Sequence, residues 1–355
     1  MIKKRNYLYK NKKVLFVLKI IDFFIDLLPI KKNSLPKEVN KILLIKPDHL
    51  GDVLLLTSVL PLIKEKYPNI KIDIIIGSWA KVILYNNPYI NNIYEINHFR
   101  LDRSKKSVFN KLLKFLKDYF GVLQDIRQNY YDISINFRSY GDNLITLQLL
   151  SKSKYNIAYG SAGFGGLLDC ELDIVEKKHE VEYFLDLLAK LAIKEDINNL
   201  HSFVSISKDD KQYVKEIVNR YKLKDFIIIH PGSGDTKKMK DSVFWEEIIK
   251  CHKETIVFCG TKDEKYLIKD LKNKNILDLM GIFSISQLVE FYKKAKLIYT
   301  VDSLAGHLAS ITDTKTISFY SDFTDTIRWK PLGSNVKVIK NHNRFLKDLK
   351  SESDR

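Results

Sequence analysis

Short β-branched runs, each followed by a loop and then a stretch of helical period, alternate along this chain, and the alternation runs through it twice. Residues 42–46, 71–76, 93–96, 132–137 and 155–159 read as the strands of a first series, and 226–230, 255–259, 297–301 and 316–319 as those of a second. Helical periods fall over 14–28, 52–67, 105–128, 143–150 and 179–191, then over 244–252, 264–271, 287–294 and 305–311. Strands that alternate with helices pair in parallel, and a parallel sheet must be covered on both faces. The expectation is therefore an α/β chain of two Rossmann-like domains. Its 355 residues suffice for two such cores. With 45% hydrophobic and 29% charged residues, disorder and an integral membrane protein are excluded. The polar stretch 198–208 is the expected hinge. This gives a basic leader over 1–35, an N-terminal domain over 36–205, a C-terminal domain over 206–340 and a tail over 341–355.

Charge narrows the partners. Lys and Arg number 59 against 43 Asp and Glu, a net +16, and residues 1–41 carry half of that excess. Anionic partners follow: nucleotide phosphates, acidic glycans or lipid head groups. Nucleic acid is not expected, because no recognition motif accompanies the charge. Cys170, Cys251 and Cys259 are too few and too irregularly spaced for a disulfide framework or a zinc knuckle, and no metal site is expected. Over residues 14–28, Lys19, Asp22 and Asp26 share one helical stripe, and Phe16, Ile20, Phe23, Phe24 and Leu27 cover the rest. Such a helix reaches about 22 Å, short of a hydrocarbon core of about 30 Å. No small-residue cleavage site follows it, so the leader is expected to be retained. Two readings stand. The helix packs on the protein's own surface, or it anchors the chain on anionic lipid with the help of Lys3, Lys4, Arg5, Lys10, Lys12 and Lys13. Both place the protein in the cytoplasm, the second as a peripheral protein on the inner face of the cytoplasmic membrane.

Open parallel sheets bind ligands outside the carboxyl ends of their strands, so two domains facing each other are expected to share a cleft lined by post-strand loops. The loop after the first strand reads Lys46-Pro47-Asp48-His49-Leu50-Gly51-Asp52. Gly51 permits close approach. Asp52 at a helix start is either an ordinary cap or, held ionised there, a carboxylate able to take a proton from a hydroxyl. The first loop of the second series, residues 230–240, carries Ser233, Thr236 and Lys237 among glycines and further lysines, which suits a diphosphate, although it is not a P-loop. A third loop, Asp302-Ser303-Leu304-Ala305-Gly306-His307, runs from a strand end straight into a helix. There Ser303 and the first amides can meet an anion and Asp302 a ribose, while capping explains both residues equally well. The turn 260–264 adds polar groups.

Residues 42–60 (ILLIKPDHLGDVLLLTSVL), 230–244 and 297–309 resemble three motifs of glycosyltransferase family 9, the heptosyltransferases of lipopolysaccharide core assembly, in the same order and near the same separations. The resemblance covers about residues 41–340, with further echoes at Tyr131-Asp132-Ile133, the helix opened by His179, Leu279-Met280-Gly281 and Arg328-Trp329-Lys330-Pro331-Leu332-Gly333. It implies a GT-B fold, an acceptor on the N-terminal domain, an ADP-sugar on the C-terminal domain, inversion at the anomeric carbon and no catalytic metal or cofactor. It also implies that Asp52 is the general base, with Lys46, His49 and Gly51 on the acceptor side. Lys237 becomes the diphosphate contact, and Ser233, Thr236, Asp302, Ser303, Leu304 and His307 line the donor pocket. Met239-Lys240, Leu304 and Tyr320 depart from the family pattern, all on the donor side. The expected activity is transfer of a heptose from ADP-heptose to a lipopolysaccharide core or another lipid-linked or oligosaccharide acceptor. Its alternatives are a GT-B transferase with another nucleotide sugar, or a binding protein that keeps the fold without turnover.

Overall fold

A computed structural model of the chain describes residues 3–9, 11–271 and 275–353. These divide into two compact units, 1–197 and 198–355. In the first, the elements run α1 (Lys12–Leu27), β1 (Lys41–Ile45), α2 (Leu50–Thr57), α3 (Leu60–Lys66), β2 (Lys71–Ile76), β3 (Asn92–Glu95), α4 (Val108–Arg127), β4 (Ile133–Asn136), α5 (Ile145–Leu150), β5 (Tyr155–Tyr159), β6 (Cys170–Leu172) and α6 (Glu180–Ala189). The strands pair in parallel in the order β3-β2-β1-β4-β5-β6. Ile42, Leu43, Leu44 and Ile45 are fully buried, as a central parallel strand with both faces covered must be. One expected helix over 52–67 is instead two, α2 and α3. Pro61 stands second in α3, and its missing N–H and its ring break the ladder back to Thr57.

The second unit repeats the plan with α7 (Lys208–Arg220), β7 (Ile227–His230), α8 (Ser242–Lys250), β8 (Ile256–Phe258), β9 (Ile276–Asp278), α9 (Ile285–Tyr292), β10 (Leu297–Val301), α10 (Leu304–Ala309), β11 (Thr316–Phe319), α11 (Thr326–Trp329), β12 (Val336–Ile339) and α12 (His342–Ser353). Its parallel order is β12-β11-β10-β7-β8-β9, the same as that of the first unit. Residues 342–353, set apart in the sequence as a tail, form α12, which lays Phe345, Leu346 and Leu349 on the core around Trp245, Tyr299 and Phe319. The helix expected over 264–271 is a 3₁₀ turn, Lys262–Leu267, with no buried side chain; without an apolar face to bury, an α-helix has little to hold it.

The leader is seated by its polar stripe. Asp22 is 2% exposed and accepts from the Phe164 amide at 2.7 Å and from the Tyr7 hydroxyl at 2.7 Å. Arg5 grips Asp26 with two bonds of 2.8 Å and also bonds Glu171. The loop after β5 admits this contact because it is glycine-rich: a Cβ on Gly163, whose φ is +87°, would meet Leu18. Lys10, one of the basic residues named above, lies outside the described residues.

Candidate active site

In both units the strand order reverses direction between the first and fourth strands, β1 and β4 in one and β7 and β10 in the other. Ligands of open α/β sheets bind at the carboxyl end of such a switch point.

At the β1/β4 switch, Lys46 follows the last residue of β1 and is wholly buried. Its ammonium donates to Glu180 Oε1 at 2.8 Å and to the Phe137 carbonyl at 3.1 Å, stands 3.0 Å from Asp48 Oδ2 and lies 4.7 Å over the Phe184 ring. The other oxygen of Asp48 pairs with Arg138, the second residue after β4, whose Nε also donates to the Gly141 carbonyl at 3.0 Å. Trp79 fixes the Asp48 carbonyl through its indole N–H at 2.8 Å. Two cations and two carboxylates are thus buried together in balance. Burial pushes the Lys46 ammonium down from its ordinary range, while the charges of Glu180 and Asp52 pull it back. Burial likewise pushes Arg138 down, opposed by Asp142 and Glu180. Glu180 arrives as the first residue of α6, which opens on a capping box between His179 and Glu182.

Asp52 lies in the first turn of α2, where the helix dipole favours a carboxylate, and is half-buried; the cap position itself belongs to His49. Gly51 precedes it in the same turn. His49 rests against Trp79, the ring centroids 6.2 Å apart, and burial, reinforced by the charge of Arg103, pushes its imidazole down to about 4. It is therefore neutral at neutral pH. Lys46 is the acceptor-side residue whose placement differs most from a ligand contact: its charge is spent on Glu180 and Asp48 beneath the loop.

At the β7/β10 switch, Ser233 donates to the Asp302 carbonyl at 3.2 Å and joins the two loops. Asp302 is buried, and its Oδ2 accepts from Thr324 at 2.6 Å and pairs with Lys238 at 2.7 Å. Thr236 and Lys237 are exposed in a 3₁₀ turn, Thr236–Lys238, which Asp235 caps by accepting the Lys237 amide at 3.1 Å. Ser303 caps α10 by accepting the Ala305 amide at 3.3 Å; Leu304 begins the helix and His307 is buried in it. Lys240 is set against Phe244, 5.9 Å from the ring, and burial pushes its ammonium down. The carboxylate of Glu264, bonded by the Thr261 amide at 2.7 Å, fills the space beside Gly232 where a Cβ would stand. His230 below it meets the Tyr292 hydroxyl at 2.7 Å and is pushed by burial down to about 4.

The structure thus brings Lys46 and Asp52 together in one unit, and Ser233, Asp302 and the Lys237 turn in the other. Sequence reasoning missed Asp48, Arg138, Glu180, Lys238 and Thr324. The placement of Asp48 within the quoted motif and of Arg138 just past a switch-point strand was the available signal. Among the described residues, no group of three or more His, Cys, Asp or Glu side chains is placed to hold a metal ion.

Comparison with known proteins bears on the family and the fold. The profile of glycosyltransferase family 9 (heptosyltransferase) matches residues 120–355. Lipopolysaccharide heptosyltransferase 3 of Escherichia coli K12 is 25% identical over 299 residues, which is 81% of this chain and 83% of that protein. Among solved structures, a family 9 glycosyl transferase from Veillonella parvula superposes with a TM-score of 0.72 at 17% identity, covering 90% of this chain and 91% of its own. The E. coli ADP-heptose lipopolysaccharide heptosyltransferase II gives 0.65 at 18% identity, covering 88% and 98%. Two parallel six-stranded units, matched by these folds along nearly their whole length and by the family profile across residues 120–355, identify it: the protein belongs to glycosyltransferase family 9, has the GT-B fold and is a glycosyltransferase.

Proposed function

We propose that the protein is an inverting, metal-independent transferase that moves a heptose from ADP-heptose to a lipopolysaccharide core or another lipid-linked or oligosaccharide acceptor. The observation that carries this reading is the unlike chemistry of the two switch points. One sets a first-turn carboxylate, Asp52, by a buried and internally balanced ion cluster. The other presents the exposed Lys237 in the turn that also carries Lys238, which pairs with Asp302. Asp52 takes the proton of the acceptor hydroxyl as its oxygen attacks the anomeric carbon from the face opposite the diphosphate. The bond to the diphosphate breaks, its electron pair stays on the phosphate oxygen, and Lys237 meets the charge that develops there, the work a metal performs elsewhere. A heptose donor is supported by the relatives, one of which is an E. coli heptosyltransferase solved with ADP. The configuration of the new glycosidic bond, read by NMR on product made in EDTA, tests the reading. Inversion with undiminished activity is expected; retention, or activity lost to the chelator, contradicts it.

Lys237→Ala is expected to lower donor affinity and turnover together by about tenfold or more, because a charge-assisted contact that strengthens in the transition state is lost. Its melting temperature should not move, since the side chain is exposed. Lys238→Ala should lower the melting temperature as well, because buried Asp302 loses its cation and keeps only the Thr324 hydroxyl on that carboxylate. Equal, small kinetic effects at Lys237, Lys238 and Lys240 would reduce the turn to a generic basic loop.

A further inference from the structure

Helix α1 is inverted relative to an ordinary surface helix. Its carboxylates and Leu18 face the protein, and a second apolar stripe faces out: Phe16 is 66% exposed, Phe24 61% and Leu27 60%. Helix α4 also leaves apolar side chains open: only Val122, Leu123 and Ile126 near its end are buried, while Phe109 is 67% and Leu113 50% exposed, with Val108, Leu112 and Leu116 beside them. Monomeric surfaces rarely leave such contiguous apolar faces open without a partner.

The start of α4 and the leader are joined through loops at one edge of the first unit. Helix α4 starts from the loop after β3: His98 packs against Phe115 at 4.8 Å, and Lys111 donates to the Asp102 carbonyl at 2.8 Å. That loop is tied by Arg100 to Asp142, at 3.0 Å, in the loop after β4, and the Asp142 amide donates to Tyr9 of the leader at 3.3 Å. The leader then lies along the loop after β5, through Asp22 and Gly163. All these loops follow carboxyl ends of strands, the edge that also carries Asp48 and Asp52.

Both faces are basic. Lys12, Lys13 and Lys19 are exposed on α1, and residues 103–117 hold Arg103, Lys105, Lys106, Lys111, Lys114 and Lys117 without one acid. Such charge repels an identical face of a second copy and is complementary to an anionic one. Apolar side chains interleaved with lysines on helices that lie flat are what an interface of acyl chains and anionic head groups receives, and two such elements hold where one is marginal. Among the described residues, no helix is long and apolar enough to cross a membrane.

From these observations we infer that α1 and the first half of α4 form a single docking face for an anionic lipid surface, which sets the carboxyl edge of the first unit, and Asp52 with it, against the membrane. The inference needs no turnover and stands apart from the assignment of donor and acceptor.

Co-sedimentation of the full chain with vesicles tests it. Binding is expected to vesicles containing phosphatidylglycerol, to weaken at high salt, and to be nearly absent on pure phosphatidylcholine. F24E with L27E on α1, and F109E with L113E on α4, should each reduce partitioning by about tenfold or more, and all four together should abolish it, since each pair removes apolar area from the bilayer and adds repulsion. These side chains are exposed, so the melting temperature should hold, whereas deleting the leader would also strip Arg5 from Glu171 and confuse binding with stability. Full-chain protein that fails to sediment with anionic vesicles overturns the inference, as does a variant with all four changes that binds like the parent. A concentration-dependent dimer of the parent that the same four changes dissolve would give the face to a second copy and overturn it too.

Discussion

Asp52→Asn is expected to lower the rate of transfer by about 10² to 10⁴ while leaving donor binding and melting temperature close to those of the parent. Asparagine keeps the shape of the carboxylate and its ability to end a helix, so a residue that only satisfies first-turn amides would tolerate the change. What the amide cannot do at neutral pH is take a proton from a hydroxyl. The position argues for the second role: His49, not Asp52, occupies the cap of α2, and the charge of Asp52 is felt by the buried Lys46. Single-turnover kinetics with saturating donor separate the chemical step from binding. A variant that turns over at the parental rate would leave Asp52 a first-turn structural residue and move the base elsewhere.

Glu180→Leu is expected to destabilise the first unit by about 3–5 kcal/mol, because Lys46 is then left buried with one carboxylate fewer to balance it. The loss should show as a lower denaturation midpoint. Pairing the change with Lys46→Met removes both charges and leaves Asp48 with Arg138, so the double variant should recover most of the stability. Activity should not return with it, because Asp52 then lacks the cation whose field it shares. Equal stability for Glu180→Leu and the double variant would mean that Lys46 is not held by Glu180. Full activity in the double variant would make the cluster a packing feature alone.

Most of the architecture was legible because central strands are written as continuous apolar runs. Residues 42–46 and 71–76 announce β1 and β2, whose side chains are buried almost throughout. The strands that escaped notice, β6, β9 and β12, are all edges of three or four residues with half-exposed side chains, too short and too mixed to show a period. Helix α7 escaped for a related reason: only Val214 and Ile217 of its thirteen residues are buried. Motif spacing singled out Asp52, Ser233, Lys237 and Asp302 as candidates. It did not reveal which partners hold them, since Lys46 and Glu180 lie 134 residues apart and meet only because β1, β4 and α6 converge. The leader shows the limit most clearly. Its two stripes are plain in the sequence, but which of them turns inward depends on Tyr7, Arg5 and the Phe164 amide, which receive its carboxylates.

Transfer from a nucleotide-linked heptose is the step on which the proposed function rests. Purified protein should be offered a panel of nucleoside diphosphate sugars, ADP-heptose among them, with a truncated lipopolysaccharide core as acceptor and mass spectrometry as the readout. With ADP-heptose the acceptor is expected to gain the mass of one heptose and ADP to appear in equal amount, while hexose donors on other nucleotides give little. An acceptor that gains a hexose from another nucleotide sugar while ADP-heptose stays intact would contradict it.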